Sequence, residues 1–348
     1  MYIKCQVTHK VKRLHMATIK DVAKQANVSI ATVSRVVNNG PKVGKETRER
    51  VLNVMREIGY VPDANARALV KQKSDTIGVV VPDISDPFFA ALASGIDKVA
   101  RKNNVQMLLS TTAVDAEAEQ KAIEMLIERR CESLVVHSKK LSDEALLTLA
   151  KRVPGMVIID RYIEEIAERC IWLDNYQGGR IAARYLHTLG HKHVACITSS
   201  YQIEDPKLRL QGFTEGLSDV NVSVRCVEQG EPNQQGGEKA AQAIISQHPE
   251  VTAVFAYNDA MAIGAISTLE DNGYKVGQDI SVIGFDDVLI ARYSRPKLTT
   301  LKYPIELMAQ QAAELALNIN KASDNSPNIS LYKHLPQLVK RESTHLLG

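Results

Sequence analysis

From Thr76 onward the chain alternates short runs rich in β-branched residues with segments of helical periodicity, and this alternation limits the fold more than any other feature. Strands separated by helices run parallel, because each helical crossover returns the chain to the same end of the sheet. Strand candidates fall in two series, at 76–81, 105–110, 133–137, 156–159 and 171–173, then at 194–198, 222–227, 253–256 and 281–284. Helical patterns lie between them, as at 88–101, 117–128, 180–189, 237–246 and 259–272. One sheet of nine or more strands would be unusually large, so two doubly wound lobes are expected within a body spanning 75–348.

Ahead of the body, residues 18–38 read as two short helices joined by a tight turn. Thr18 caps the first, whose Ile19, Val22, Ala23 and Ala26 share one face. Asn27 and Val28 make the turn, and Ser29 caps a second helix. Its Val33 and Val36 face inward, which leaves Ile30, Ala31, Ser34 and Arg35 outward. Such a face suits a DNA major groove, since arginine forks onto guanine and small apolar groups touch thymine methyls. An ordinary helical hairpin with one exposed apolar residue is the plainer alternative. Val51, Val54, Met55 and Ile58 then close a three-helix unit over 16–61, punctuated by Gly40-Pro41 and Gly59. The Ala-rich stretch within 62–74 is too short to hold a helix alone and is expected to order on a partner.

Charge follows the same division. Residues 1–74 hold 15 Lys/Arg against 5 Asp/Glu, a net of +10 in a chain whose total is +3, so the body carries −7. A basic head on an acidic body fits a polyanion-binding module attached to a sensor. The chain is 45% hydrophobic, with no run of transmembrane length and no apolar signal core at its start, so a cytoplasmic protein without a membrane partner is expected. Five scattered cysteines show no metal-ligand spacing. Residues 1–15 lack periodicity and precede Met16; they are either a basic extension or the product of a start assigned too early.

Open α/β sheets bind ligands beyond the carboxyl ends of their strands, and polar residues collect there. Asp83 and Asp86 follow the first strand, Asp160 and Arg161 the fourth, Asn258 and Asp259 the strand at 253–256, and Asp286 and Asp287 the strand at 281–284. Arg209 lies in a helix beginning near Pro206. Carboxylates, an amide and a guanidinium each hold adjacent hydroxyls, while Phe88 or Phe89 supplies an apolar wall, so a sugar is the ligand this chemistry suits. For Asp83 and Asp287 a loop or cap role is expected instead. An enzyme of the doubly wound class is disfavoured: GxGxxG, GxxxxGK[ST] and GxSxG are all missing and the nine histidines are dispersed. No cofactor or metal site is expected.

The stretches TIKDVA, NVSIATVSRVVN, YVPDANARAL, IGVVVPDISDPFF, RLQGF, YNDAMAIGA, SVIGFDD and RPKLTTL resemble the LacI/GalR family of bacterial repressors. ANARAL, LVVHSK, GFDDVLIARYSRP and LTTLKYP are most similar to its galactose-repressor branch. The resemblance implies a small all-α helix-turn-helix head plus two α/β, doubly wound parallel-sheet lobes of periplasmic-binding-protein type. It implies DNA contacts at Thr18, Ser29, Ile30, Ala31, Thr32, Ser34, Arg35 and Asn38, with Ala66 and Leu69 in a hinge helix whose leucine wedges into the minor groove. It carries the sugar clamps onto Arg209, Asn258 and Asp286, with Asp86 and Phe88 in a contact loop of the first lobe and Asp160 beside them. Crossings at 173–175, 298–303 and 335–339 would divide the body into an N-subdomain (75–174 and 304–332) and a C-subdomain (175–299 and 335–348). The implied partners are palindromic double-stranded operator DNA, a sugar effector, galactose by the branch, and a second copy in a homodimer. A purine corepressor is the competing effector. It needs aromatic stacking walls, which a chain with 5% aromatic residues does not promise.

Overall fold

The computed structural model describes residues 17–38, 40–61, 76–319 and 332–347, and the chain divides into two compact units, 1–74 and 75–348. The expected extension at 1–15 and the hinge at 62–74, with Ala66 and Leu69, lie outside the described residues.

In the first unit, helices α1 (Ile19–Gln25), α2 (Ile30–Val37) and α3 (Lys45–Glu57) follow one another. Thr18 and Asp21 form a reciprocal capping box at the start of α1: the Thr18 side chain accepts from the Asp21 amide, and the Asp21 carboxylate accepts from the Thr18 amide at 2.8 Å. Asn27 takes the left-handed conformation, φ 51°, that the turn requires and that asparagine tolerates. Ser29 Oγ then accepts from the Thr32 amide at 3.1 Å and caps α2. Val22, Ala23, Ala26, Val33, Val36, Val51, Val54 and Met55 make the core, each fully buried valine contributing about 1.5–3 kcal/mol. Arg48 of α3 donates to the carbonyls of Val36 (3.3 Å) and Gly40 (2.9 Å), tying α3 to the end of α2.

The second unit contains strands β1 (Thr76–Val81), β2 (Gln106–Thr111), β3 (Ser133–Val136), β4 (Gly155–Ile159), β5 (Cys170–Leu173), β6 (Val194–Ser199), β7 (Val224–Gly230), β8 (Ala253–Ala256), β9 (Ser281–Asp286), β10 (Thr299–Lys302), β11 (Lys333–His334) and β12 (Gln337–Val339). They form two six-stranded sheets ordered β11-β5-β4-β3-β1-β2 and β12-β10-β9-β8-β6-β7. All pairings are parallel except β12, which runs antiparallel to β10. Helices α4 (Pro87–Lys102), α5 (Ala116–Glu128), α6 (Asp143–Arg152), α7 (Asn175–Thr188), α8 (Glu204–Ser218), α9 (Gln234–Gln247), α10 (Asp259–Asp271), α11 (Leu289–Tyr293) and α12 (Ile305–Asn318) complete the unit. Because helices cover both faces, the central strands are apolar throughout: along β1, Ile77, Val79 and Val81 enter one core while Val80 enters another.

The crossing stretches differ in detail from the expectation. Thr299–Lys302 is a strand in register with β9, so the C-lobe segment runs to 302 rather than 299. Lys333 and His334 pair with β5, so the N-lobe segment runs to 334 rather than 332. These short strands lack the long apolar run that betrays a central strand, and only their pairing defines them. Helices α7 and α8 approach at glycines. A Cβ on Gly212 would stand 1.9 Å from the Tyr176 carbonyl oxygen, and one on Gly179 would stand 2.1 Å from that of Arg209.

Candidate functional site

A cavity of about 380 Å³ opens beyond the carboxyl ends of the strands of both lobes, within the ~300–1,000 Å³ range of small-molecule sites. Asp86, Phe88, Asp160, Arg209, Asn258 and Asp286, the candidates read from sequence, all line it. They reach it from five segments of the chain separated by as many as two hundred residues.

Arg209 is the most firmly placed of them. The close α7–α8 packing presents it from α8, where it is 5% exposed. Its Nε donates to Asn175 Oδ1 at 2.8 Å, and its Nη1 donates to the Tyr257 carbonyl at 2.6 Å. The guanidinium lies over the rings of Phe285 (3.6 Å to the centroid) and Tyr257 (4.6 Å). Asp286 Oδ1 stands 3.6 Å from Nη1. Asp286 itself occupies an unusual backbone conformation for a non-glycine residue, φ 111°, at the end of β9. Burial pushes its carboxyl well above the usual range, with Arg209 pulling the other way.

Asn258 and Asp86 prove to be helix caps as well as cavity residues. Asn258 Oδ1 accepts from the Met261 amide at 2.8 Å, and its Nδ2 donates to the Pro232 carbonyl at 3.0 Å, so its amide is already engaged. Asp86 Oδ1 caps α4 through the Phe88 amide at 2.9 Å, and burial raises this carboxyl too, against that hydrogen bond. Phe88 packs edge-on against Phe89 and Tyr303. Asp160, 7% exposed with φ 62°, accepts from His137 Nε2 (3.1 Å), from the Tyr303 hydroxyl and from Lys139 Nζ (2.8 Å). Burial acts to raise its pKa, but Lys139 and His137 outweigh it and hold the carboxyl below the ordinary value.

Asp83 and Asp287 behave as expected of loop residues, with one qualification each. Asp83 is exposed and bound to Ser85, whose hydroxyl holds it below the usual carboxylate range, yet it borders the cavity. Asp287 is buried by Arg341 and Arg292 and does not line it.

Sequence reasoning missed His137, Lys139, Asp205 and Tyr257, which also line the cavity. The rule that found Asp160 would have found Lys139, which follows β3, and Asp205 precedes Arg209 by one helical turn. More rings border the cavity than the low aromatic content suggested: Phe88, Phe89, Tyr201 and Tyr257. A low overall aromatic content does not prevent chain topology from gathering these side chains at one crest. Around the cleft the rings meet edge to face, at 76° to 85°, rather than as a parallel slot.

On the first unit, Ile30, Ala31 and Arg35 form an exposed face of α2, and among the described residues the Arg35 guanidinium has no hydrogen bond or ion pair. The neighbouring polar side chains are engaged locally. The Thr18 hydroxyl binds Asp21 at 2.7 Å, Ser29 and Thr32 share a hydroxyl contact of 2.9 Å, and Asn38 Nδ2 donates to the Ser34 carbonyl (2.9 Å) and hydroxyl (3.3 Å).

Comparison with known proteins joins the two surfaces. Residues 18–63 match the family described as bacterial regulatory proteins, lacI family, and residues 74–337 match periplasmic binding proteins and sugar binding domain of LacI family. The chain is 46% identical over 330 residues to the HTH-type transcriptional regulator GalS of Salmonella typhimurium, covering 94% of this chain and 96% of that protein. It is 45% identical over 331 residues to the transcriptional regulator GalR of Escherichia coli, with the same coverage. The crystal structure of the Lac repressor dimer bound to operator and an anti-inducer superimposes with a TM-score of 0.83 at 26% identity, covering 95% of this chain and 99% of that one. Among the described residues no helix is long and apolar enough to cross a membrane. With capped helices of helix-turn-helix form in the first unit and a polar cleft between two α/β lobes in the second, the chain belongs to the LacI family of bacterial regulatory proteins, as a DNA-binding transcriptional repressor with a sugar-binding domain.

Proposed function

We propose that this repressor controls sugar-utilisation genes in the cytoplasm, binds a palindromic operator as a homodimer, and releases it when D-galactose or a close aldohexose enters the cleft. The observation that carries the effector is the cavity's chemistry. Carboxylates at Asp83, Asp86, Asp160, Asp205 and Asp286 outnumber the cations Lys139 and Arg209, and both cations already face carboxylates. Hydroxyl groups donate to such carboxylates, whereas a phosphorylated or carboxylated ligand meets like charge. The similarity to GalR and GalS favours galactose among neutral sugars. Phe88, Phe89, Tyr303 and His137 pack edge to face against one another, so between them they leave no gap for a purine to stack in.

In this reading Arg209, Asp286, Asn258 and Asp86 hold the sugar, Phe88 packs its apolar face, and Asp160 orders the first-lobe wall. Ile30, Ala31 and Arg35 read base edges, Thr18, Ser29, Thr32, Ser34 and Asn38 position the backbone, and Ala66 and Leu69 belong to the hinge that meets the operator centre. The sugar lowers operator affinity by preferring one lobe arrangement, with a coupling of typically ~1–3 kcal/mol. A gel-shift on a gal-type operator with increasing D-galactose tests this directly. Release at rising sugar is expected; tighter binding, or release by adenine or guanine instead, overturns the assignment.

A further inference from the structure

We propose that Lys139 is a latch between the lobes: its ammonium, held by Asp160 of the first lobe and Asp205 of the second, ties the two walls of the cleft together before a sugar enters. Nζ stands 2.8 Å from Asp160 Oδ2, and 2.8 and 2.9 Å from Asp205 Oδ2 and Oδ1. The three side chains are 7%, 6% and 10% exposed, so solvent does little to screen the attraction. Among the described residues this is the one ion pair that joins the lobes away from their crossings.

Each member is fixed from behind. The loop after β3 that carries Lys139 is organised by Glu119, a 1% exposed carboxylate of α5 that accepts from the Ser138 hydroxyl and from the amides of Lys139 (3.1 Å), Lys140 and Leu141 (3.0 Å). Asp160 is gripped by His137 and by Tyr303, which stands at the step where the chain passes from β10 to α12 and hence from one lobe to the other. Asp205 lies four residues before Arg209 on α8, so the latch and the guanidinium share a helix face. Burial opposes the charge on Lys139, but the two carboxylates outweigh it and the ammonium is retained. Lobes that part would keep the Lys139–Asp160 pair whole and leave Asp205 without its cation. The rim contact of Lys140 Nζ with the Gln202 carbonyl, at 3.5 Å, is too long and too exposed to replace it.

The latch is independent of which sugar binds, but its effect on affinity rests on the cleft being the sugar site. Two readouts separate these ideas. In sugar-free, full-length protein, Asp205→Asn removes the charge of the cross-cleft leg and leaves only a neutral acceptor there, and Lys139→Met removes both legs. Amide exchange in the cleft segments 82–89 and 200–209 is expected to quicken about tenfold in both variants, while the central strands at 133–136 and 194–199 keep the parent rate. Exchange in Asp205→Asn indistinguishable from the parent, or accelerated equally through the strands of a lobe, overturns the latch. In calorimetry with D-galactose, each single variant is expected to bind about tenfold more weakly and the double variant no more weakly than the worse single, because both remove one link. Additive losses overturn it as well. A parent protein that binds no galactose defeats the sugar assignment, and the exchange measurement then still decides the latch.

Discussion

The head and the cleft use arginine in opposite ways. Arg35 stands on an exposed helix face without a partner among the described residues, whereas Arg209 is buried, hydrogen-bonded at two nitrogens and stacked on two rings. The difference follows from what each surface meets. A duplex brings its own acceptors and its own shape, so the head needs only a well-capped helix with free donors. A small neutral ligand offers a few hydroxyls, and the cleft gains affinity only if its side chains are already held in place. Order in the head therefore resides in backbone caps, and order in the cleft resides in side-chain networks.

Removing each arginine is the sharpest test of this contrast. Arg209→Ala leaves the buried acceptors Asn175 Oδ1 and the Tyr257 carbonyl without their donor and is expected to cost the body ~1–3 kcal/mol as well as all measurable sugar binding, with operator binding persisting. Thermal unfolding and calorimetry on one preparation check both effects; normal sugar release in this variant would erase the distinction between the two arginines. Arg35→Ala is expected to leave stability unchanged and to cost ~1–3 kcal/mol of operator affinity, concentrated at one base pair, with the salt dependence preserved. A loss shared equally by all sequences would make Arg35 a phosphate contact.

Two caps offer a smaller comparison. Ser29→Ala and Asp86→Ala each remove a side-chain cap and are expected to cost ~1 kcal/mol of stability. Only Asp86→Ala should also weaken sugar binding, which separates a cap that shapes a helix from one that faces the cavity. If Ser29→Ala changed the sugar response at fixed operator occupancy, the two surfaces would be coupled more directly than this contrast allows.

The smallest expected effect concerns pH, through a buried histidine of the body. His191 is fully buried between Thr252 and Ser281, and burial lowers its pKa from 6.5 to about 4. The unfolded chain therefore takes up the proton first, and stability present above about 6.5 is lost as the pH falls toward 4. Asp259 runs the other way: burial raises its pKa from 3.8 to about 7, so its contribution declines as the pH rises through that interval. Comparing the parent with His191→Gln isolates the histidine. Urea unfolding at pH 7 and pH 5 should show the parent losing more stability than the variant, by on the order of 1 kcal/mol. Equal losses would remove the histidine from the account.

Much of the head was legible from the chain alone. Capping residues, the i, i+3, i+4 spacing of Val22, Ala23 and Ala26, and the turn at Asn27 are local properties, decided by neighbours within one or two helical turns. The central strands of the body were legible for the same reason, since burial on both faces leaves an uninterrupted apolar run. The short strand β10 and the edge strands β11 and β12 were not, because pairing rather than composition makes them strands.

At the cleft, the rule that ligands gather beyond the carboxyl ends of parallel strands singled out residues that do share one cavity. Their bonding states required the fold. Asn258 and Asp86 double as caps, Asp160 is saturated by Lys139, His137 and Tyr303, and the ring cluster of Phe88, Phe89 and Tyr303 gathers despite a low aromatic content. Sequence determines which side chains arrive at a crest, because strand period and helix period are short-range. Which of them meet, and which charges cancel, depends on contacts between residues as distant as Lys139 and Asp205 or Asp160 and Tyr303, and only three-dimensional packing sets those distances.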